Sequence, residues 1–435
     1  MNLKFNNNDN RKFLQFEVEE NYQKPILAMI YYPSVDSTLS LFQIIKANLI
    51  LGIFNFGTVS EKEKKIYRYF VEDNKYISES TYKNLYQLCE LIPGATLIQI
   101  LISINLIKTK SFFYALIAIL FFAIPGIIFV TLVSFAFNLY NEIFIVDYIK
   151  VALAHAGIAL LLNFSFEQVK NVFQSNFQMG LIIINTVVLC ITNNLLTLII
   201  LLLVSGFLCM KNKESEFLIE KVSSDIIKVI THDSYCSFLG LPCLVLYITI
   251  FILFFILAFY VFDNFLNFLK LYLIGSIIFI DYAGLNFLCV LFDFSAENIL
   301  SSFGLMSFFQ GHFFNIIVSL FITQKKNFLQ ILVSVISCYF PSVLLLGFFI
   351  QIFPLLNDIP NVQFMLKGMK TSSIGFILAL LPKLWYLSCV KNNFYHWIIA
   401  TFIILIGSFC FFKQKMLLGF TVIIALSMIF SFICS

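Results

Sequence analysis

Long apolar segments alternate with short polar stretches over most of the chain. In the first half they lie at 39–57, 86–107, 112–139, 144–163, 181–192 and 195–210. They return in the second half at 265–292, 299–322, 328–354, 362–388, 395–412 and 416–433, and segment 239–262 has no first-half partner. Because about 20 apolar residues cross a bilayer as a helix, the pattern predicts an all-α integral membrane protein of about 11 to 13 membrane elements. The last pair of each half is short, which predicts terminal hairpins that pass only part of the membrane.

Composition gives the same class. Apolar residues make up 60% of the chain and charged residues 12%, against roughly 25% charged in soluble domains. The mean hydropathy is +0.92, so lipid contacts most of the surface and the protein is expected to be multi-pass. Which membrane holds it, plasma or internal, stays open. The ten cysteines follow no metal-ligand spacing, and we expect no disulfide, metal site or cofactor. The chain has no basic patch typical of nucleic-acid binding.

Three landmarks of the first half return in the second half after nearly the same interval, about half of the chain. They are Pro93-Gly94 and Gln310-Gly311, Pro125 and Pro341, and Lys150 and Lys367. Two related apolar halves with glycine and proline breaks at matching places are typical of secondary transporters.

The repeat predicts four parts of the chain. They are a polar tail at 1–38, a first repeat at 39–210, a polar linker with an extra membrane helix at 211–264, and a second repeat at 265–435. If each repeat crosses the membrane an even number of times, the extra helix inverts the second copy. The six Lys and Arg residues within 58–85 agree with inversion, because the counterpart around 280–298 has none.

Pro93-Gly94 interrupts an apolar segment, and lipid does not tolerate unpaired backbone groups. Proline suits the first turn of a new helix, whose free N–H groups and positive dipole end would point into the membrane and bind an anion. Thr96 and Gln99 lie three residues apart on one face of that helix and add side-chain donors. The alternative is a kinked helix that only packs.

The surrounding motifs resemble those of the chromate ion transporter family, whose repeats carry a Phe-Gly-Gly element and a later Gln-x-x-Pro-Gly-Pro element. The matching first-half stretches are Phe56-Gly57, Tyr69–Ser78, Leu88–Thr96 and Ile124–Gly126. In the second half they are Phe340–Ser342 and Gly368–Gly375. The resemblance covers roughly residues 40–435 and implies two repeats.

Several motif positions depart from the family. Thr58 replaces the second glycine of Phe-Gly-Gly, Ala95 the last proline of Pro-Gly-Pro, and Glu90 its glutamine. In the second half Pro-Gly-Pro has become Gln310-Gly311-His312, and Phe279–Tyr282 is the nearest stretch to Phe-Gly-Gly.

The resemblance implies secondary transport of an inorganic oxyanion, chromate or a sulfate-like tetrahedral dianion, bound at the midplane between broken helices of the two repeats. It does not imply an enzyme. The candidate substrate-binding residues are Phe56, Gly57, Pro93, Gly94, Thr96, Gln99, Gln310, Gly311, His312, Asn315, Lys150 and Lys367.

Ionisable residues in apolar segments are functional candidates because they are costly in lipid. Lys150 and Lys367 occupy equivalent repeat positions and would suit a divalent anion; the alternative is that both snorkel to the interface. Glu90 and His312 are candidates for proton coupling. Glu90 would otherwise face water, and His312 would otherwise only pack. His155 is interpreted as a structural histidine.

Two other classes of function remain open. A membrane scaffold that keeps the fold without transport would explain the altered second-half motifs. A polytopic lipid-modifying enzyme is disfavoured because the chain has no clustered catalytic constellation, and an ATP-driven pump is disfavoured because the chain has no nucleotide-binding loop. The sequence leaves open whether the chain acts alone or as a homodimer.

Overall fold

A computed structural model of the chain describes most residues from 39 onwards. The described residues are 39–54, 59–140, 144–172, 175–192, 194–212, 240–260, 263–279, 283–292, 298–299, 301–302, 304–305, 313–323, 326–357, 359–389, 394–412, 421–427 and 429. The predicted polar tail at 1–38 and most of the linker lie outside them. No strand occurs among the described residues.

The helices follow the predicted order. They are α1 (Leu41–Phe54), α2 (Val59–Tyr67), α3 (Glu79–Leu91), α4 (Thr96–Thr109), α5 (Phe112–Leu139), α6 (Phe144–Val172), α7 (Asn176–Ile191), α8 (Leu195–Asn212), α9 (Gly240–Tyr260), α10 (Asp263–Ile277), α11 (Gly284–Leu291), α12 (Phe313–Thr323), α13 (Phe328–Asn357), α14 (Pro360–Cys389) and α15 (Phe394–Phe412). A π-helical stretch, Arg68–Asp73, continues α2. Residues 421–427 are also helical.

Within the part of the chain that the structure describes, six helices are long and apolar enough to cross a membrane. They are Phe112–Leu139, Ile145–Lys170, Leu195–Asn212, Gly240–Leu257, Phe328–Ile350 and Pro360–Tyr386. Only 11% of the Gly240–Leu257 window is buried, so the helix without a first-half partner presents most of its apolar surface to lipid. The prediction of an all-α, multi-pass integral membrane protein is confirmed.

Two apolar helices that follow predicted breaks are too short to cross. Helix α4 has 14 residues and α12 has 11; at 1.5 Å per residue they reach about 21 and 17 Å, against a hydrocarbon core of about 30 Å. Both pack against α5, the helix of Pro125, and against α13, the helix of Pro341. The two short helices therefore contact the same pair of long proline-containing helices.

Glycines set the same close contact in each half. A Cβ on Gly52 of α1 would lie 2.5 Å from the carbonyl oxygen of Phe122 in α5. A Cβ on Gly275 of α10 would lie 2.0 Å from the carbonyl oxygen of Cys338 in α13. Both carbonyls stand three residues before the proline of their helix. Only glycine permits the backbones to approach this closely.

The terminal hairpins pack across the halves. Helices α7 and α8 pack against α14, and α15 packs against α6. Asn185 of α7 donates from Nδ2 to the Ser372 hydroxyl of α14 at 3.1 Å. His155 of α6, itself buried, lies with Nδ1 3.0 Å from the hydroxyl of Ser427. Ser372 and His155 each stand five residues after the repeated lysine of their half, so equivalent positions bond the hairpin of the opposite half.

Of the apolar segments that differ from their predicted bounds, two show how the local structure changed them. The segment predicted at 86–107 begins earlier, at Glu79, because Ser78 caps α3 by accepting the N–H of Thr81. The first part of α3 is amphipathic, and its buried positions follow a helical period: Tyr82, Leu85, Leu88 and Cys89. The segment predicted at 265–292 is not one helix: α10 ends at Ile277 and α11 begins at Gly284.

Candidate functional site

The Pro93-Gly94 break separates an amphipathic helix from a short apolar one. Helix α3 ends at Leu91 and α4 begins at Thr96. Gly94 has φ of +137°, a conformation that L side chains rarely adopt. Ala95 precedes α4 with extended backbone and makes no side-chain cap. An alanine cannot satisfy the first N–H groups of a helix, so these donors depend on groups from elsewhere.

Two groups of the second half meet the break. The Gly94 N–H donates to the carbonyl oxygen of Ile278 at 2.5 Å. The Ala95 N–H donates to the hydroxyl of Ser342 at 3.2 Å. Ile278 directly follows the end of α10, in the interruption that contains the second-half stretch nearest to Phe-Gly-Gly. The Pro93-Gly94 break therefore contacts the interruption between α10 and α11.

Gln99 lies on the break-facing side of α4. Its Nε2 donates to the carbonyl oxygen of Pro93 at 2.9 Å and to the Ser342 hydroxyl at 3.3 Å. The whole residue is 0% exposed, and its Oε1 has no hydrogen-bond partner among the described residues. A buried acceptor without a partner carries a free-energy cost of about 1–3 kcal/mol, which a bound water or another hydrogen-bond donor could relieve. Thr96, the first residue of α4, is only half-buried.

Glu90 faces a cation from the other half. Lys370 of α14 places Nζ 2.5 Å from Oε1 of Glu90, and the two side chains are 24% and 33% exposed. The carboxylate that replaces the family's glutamine is therefore paired. Sequence reasoning missed Lys370, although it lies three residues after Lys367 in the same apolar segment. That spacing puts both lysines on one helix face.

The N-terminal part of α3 is fixed by α2. The hydroxyl of Tyr86 donates to the Glu63 carboxylate, 3.2 Å from Oε1. Burial, reinforced by the charge of Glu63, raises the pKa of Tyr86 well above its ordinary value. The phenol therefore stays protonated and keeps donating, which holds the helix that leads into the break.

Lys150 and Lys367 have different surroundings. Nζ of Lys150 lies 3.6 Å from the Asp147 carboxylate on its own helix. Lys367 lines a small cavity of about 20 Å³ between α7, α8 and α14, roughly the volume of one water position. The cavity residues are Ser175, Phe177, Gln178, Cys209, Asn212, Phe364 and Lys367. Lys367 stands one helical turn before Lys370, the residue that pairs with Glu90.

Five predicted site residues lie outside the described residues: Phe56, Gly57, Gln310, Gly311 and His312. Asn315 lies in α12, and its side chain is not among the described ones. Of the rest, the structure brings Pro93, Gly94 and Gln99 together. It adds Ser342 and Ile278, which sequence reasoning missed. Ser342 ends the stretch Phe340–Ser342 that resembles the family, but nothing in that stretch indicated that the serine hydroxyl bonds the first-half break.

Comparison with known proteins agrees with the motifs. Residues 42–210 match the family model described as chromate transporter. No curated protein and no solved structure matches the chain significantly. The matched range includes the Pro93-Gly94 break, Glu90, Gln99 and Lys150, and the family is one of transporters rather than enzymes. Residues 42–210 of this chain are thus similar to the chromate transporter family, and the match covers less than half of the chain.

Proposed function

We propose that this protein is a secondary transporter of an inorganic oxyanion, and that the anion binds at the Pro93-Gly94 break. The observation that carries the proposal is the N-terminus of α4, whose own N-cap residue, Ala95, supplies no side-chain acceptor, and which begins inside an apolar region next to a buried amide side chain. A helix N-terminus binds an anion without a full positive charge, because its N–H groups and dipole both favour negative charge.

The repeat organisation belongs to the same proposal. Equivalent glycines pack on equivalent carbonyls in α1–α5 and α10–α13, and equivalent positions of α6 and α14 bond the opposite hairpin. These paired contacts support two repeats, at 39–210 and 265–435, that enclose one site. The second-half donors would be the backbone after Gln310, with His312 and Asn315. Inverted topology would let α4 and α12 approach the site from opposite sides.

The charged side chains near the break indicate which class of substrate would bind there. Lys367 and Lys370 lie on one helix face near the break, and Glu90 neutralises one of them. A divalent tetrahedral oxyanion such as chromate or sulfate suits the positive charge of this helix face together with helix-end donors. Lys150, at the position equivalent to Lys367, would reach the anion only by leaving Asp147.

The test is anion flux by the purified full chain in liposomes, with radiolabelled sulfate, chromate and phosphate compared. We expect chromate and sulfate to move faster than phosphate, and each dianion to inhibit uptake of the other. The absence of flux for all three anions would favour a scaffold that has lost transport.

A single side chain tests the position of the site. Gln99→Leu removes the amide at the break and should raise the half-saturating sulfate concentration about tenfold, because a hydrogen bond to a charged group contributes about 1.5–3 kcal/mol. Asn105→Leu is the matched control. Asn105 is a buried amide of the same helix, and it bonds Asn48 far from the break. An unchanged half-saturating concentration in Gln99→Leu would place the substrate elsewhere.

A further inference from the structure

The hydroxyl oxygen of Ser342 occupies the donor end of α4. It accepts the Ala95 N–H at 3.2 Å and the Gln99 Nε2–H at 3.3 Å. Ser342 is 1% exposed. A hydroxyl oxygen has two acceptor lone pairs, so both are used by groups of the first half. The Ala95 side chain has no acceptor for the first N–H groups of α4. Ser342 of α13 supplies that acceptor and caps α4 across the interface between the halves.

Those two donors are also the groups that an oxyanion oxygen would use at this break. We propose that Ser342 is an internal ligand of the anion site: its oxygen stands where a substrate oxygen binds, and the substrate displaces it. This inference rests on the proposed function. A charged oxygen accepts stronger hydrogen bonds than a hydroxyl oxygen does, so an arriving dianion replaces the serine, while a weaker acceptor such as water or a neutral solute does not.

Glycine makes this arrangement sterically possible. A Cβ on Gly94 would lie 2.1 Å from the Ser342 hydroxyl oxygen and 2.4 Å from Nε2 of Gln99. Any other residue at position 94 would therefore push the serine off the helix end. Release of the cap needs little motion, because rotation about χ1 of Ser342 carries the oxygen away while α13 stays in place.

The two halves differ at this position. Ser342 directly follows Pro341, and the residue that directly follows Pro125 in α5 is Gly126. Glycine has no hydroxyl, so position 126 cannot supply an internal ligand to the second-half break. The internal ligand is therefore a feature of Ser342 that the corresponding position in α5 does not repeat.

The test compares Ser342→Ala with the wild type in the full chain reconstituted in nanodiscs. Its matched control is Ser337→Ala, since Ser337 is a buried serine of the same helix that donates to its own helix at the Val333 carbonyl, 2.7 Å away. Hydrogen exchange of the peptide covering 92–99, without anion, reports the cap itself. Equilibrium binding of radiolabelled sulfate reports the competition.

We expect faster exchange at Ala95 in Ser342→Ala and sulfate affinity at least about twofold higher, because two competing neutral hydrogen bonds are lost. Ser337→Ala should match the wild type in both. Unchanged exchange, or sulfate affinity that stays equal or falls, would overturn the inference. If exchange rises but neither the wild type nor Ser342→Ala binds sulfate or chromate, the oxyanion function itself is wrong and Ser342 is only a structural cap.

Discussion

Nζ of Lys370 lies 2.5 Å from Oε1 of Glu90, so an ion pair joins the two halves of the chain three residues before Pro93. Leu153 holds the position equivalent to Lys370, three residues after Lys150, and its carbonyl oxygen would lie 2.0 Å from a Cβ on Gly304. At this position one half forms an ion pair, and the other forms a close backbone contact. The candidate site is therefore electrostatically asymmetric, although glycines set a similar close helix contact in each half.

Reversing one charge of this pair should destabilise the protein, and reversing both should restore it. Glu90→Lys or Lys370→Glu places like charges together at a partly buried position. We expect each to lower the free energy of unfolding by about 1–3 kcal/mol, between the values for exposed and buried pairs. The measurement is thermal unfolding of purified protein in detergent, set out as a double-mutant cycle.

The pair of Lys150 and Asp147 supplies the control. These residues lie 3.6 Å apart on one helix, and the Asp147 side chain is 62% exposed, so reversal of both charges should change little and show weak coupling. A coupling energy for Glu90 and Lys370 no larger than that of this control would contradict a structural role for the interhalf pair.

Gly94→Ala should disrupt the break itself. The substitution puts a Cβ against Ser342 and Gln99 and requires alanine at φ of +137°. We expect a loss of about 1–3 kcal/mol of stability together with loss of anion flux. Gly180→Ala is the control, because a Cβ there meets nothing within 4 Å inside α7 and alanine should stabilise the helix by about 0.5–1 kcal/mol. A Gly94→Ala protein with wild-type melting temperature and flux would show that the break has another conformation in the membrane.

Gly52→Ala and Gly275→Ala test whether the halves are structural repeats. Each would put a Cβ within 2.5 Å of a carbonyl oxygen three residues before a proline. Overpacking of this kind costs about 1–3 kcal/mol. We expect both variants to lower the melting temperature by similar amounts, measured by tryptophan fluorescence or scanning calorimetry. A large effect in one and none in the other would count against equivalent helix pairs.

Much of the fold could be predicted from the sequence because membrane helices are defined by local apolar runs. Helix α5 has the predicted bounds, 112–139. The interruption between α10 and α11 could not be predicted from hydropathy, since residues on both sides of it are apolar. The chain ends one helix and begins another there in part because the carbonyl of Ile278 bonds Gly94 in the other half, a long-range contact that no local pattern records.

Some residues of the candidate site could likewise be predicted from the sequence, and others could not. Pro93, Gly94 and Gln99 could be predicted because proline and glycine change backbone conformation and because Gln99 shares a face with the new helix start. Ser342 and Lys370 could not, because their roles depend on which helices of the second half pack against α3 and α4. Motif resemblance marked both segments but gave no partner for either side chain.

Glu90 and His312 are the two candidates for the residue that couples proton movement to anion transport. If Glu90 carries the coupled proton, protonation must break its ion pair with Lys370 and release the charge of Lys370 to the anion. Flux should then rise on acidification, and Glu90→Gln should remove that rise because a permanently neutral side chain mimics the protonated state.

If His312 is the carrier instead, His312→Ala should flatten the dependence of flux on pH between about pH 5 and 8, the range in which imidazole titrates. The measurement is sulfate flux in liposomes with the pH set equal on both sides, and Ser337→Ala serves as the control for expression and reconstitution. Wild-type profiles in both variants would exclude coupling through these residues and would make uncoupled anion movement the better mechanism.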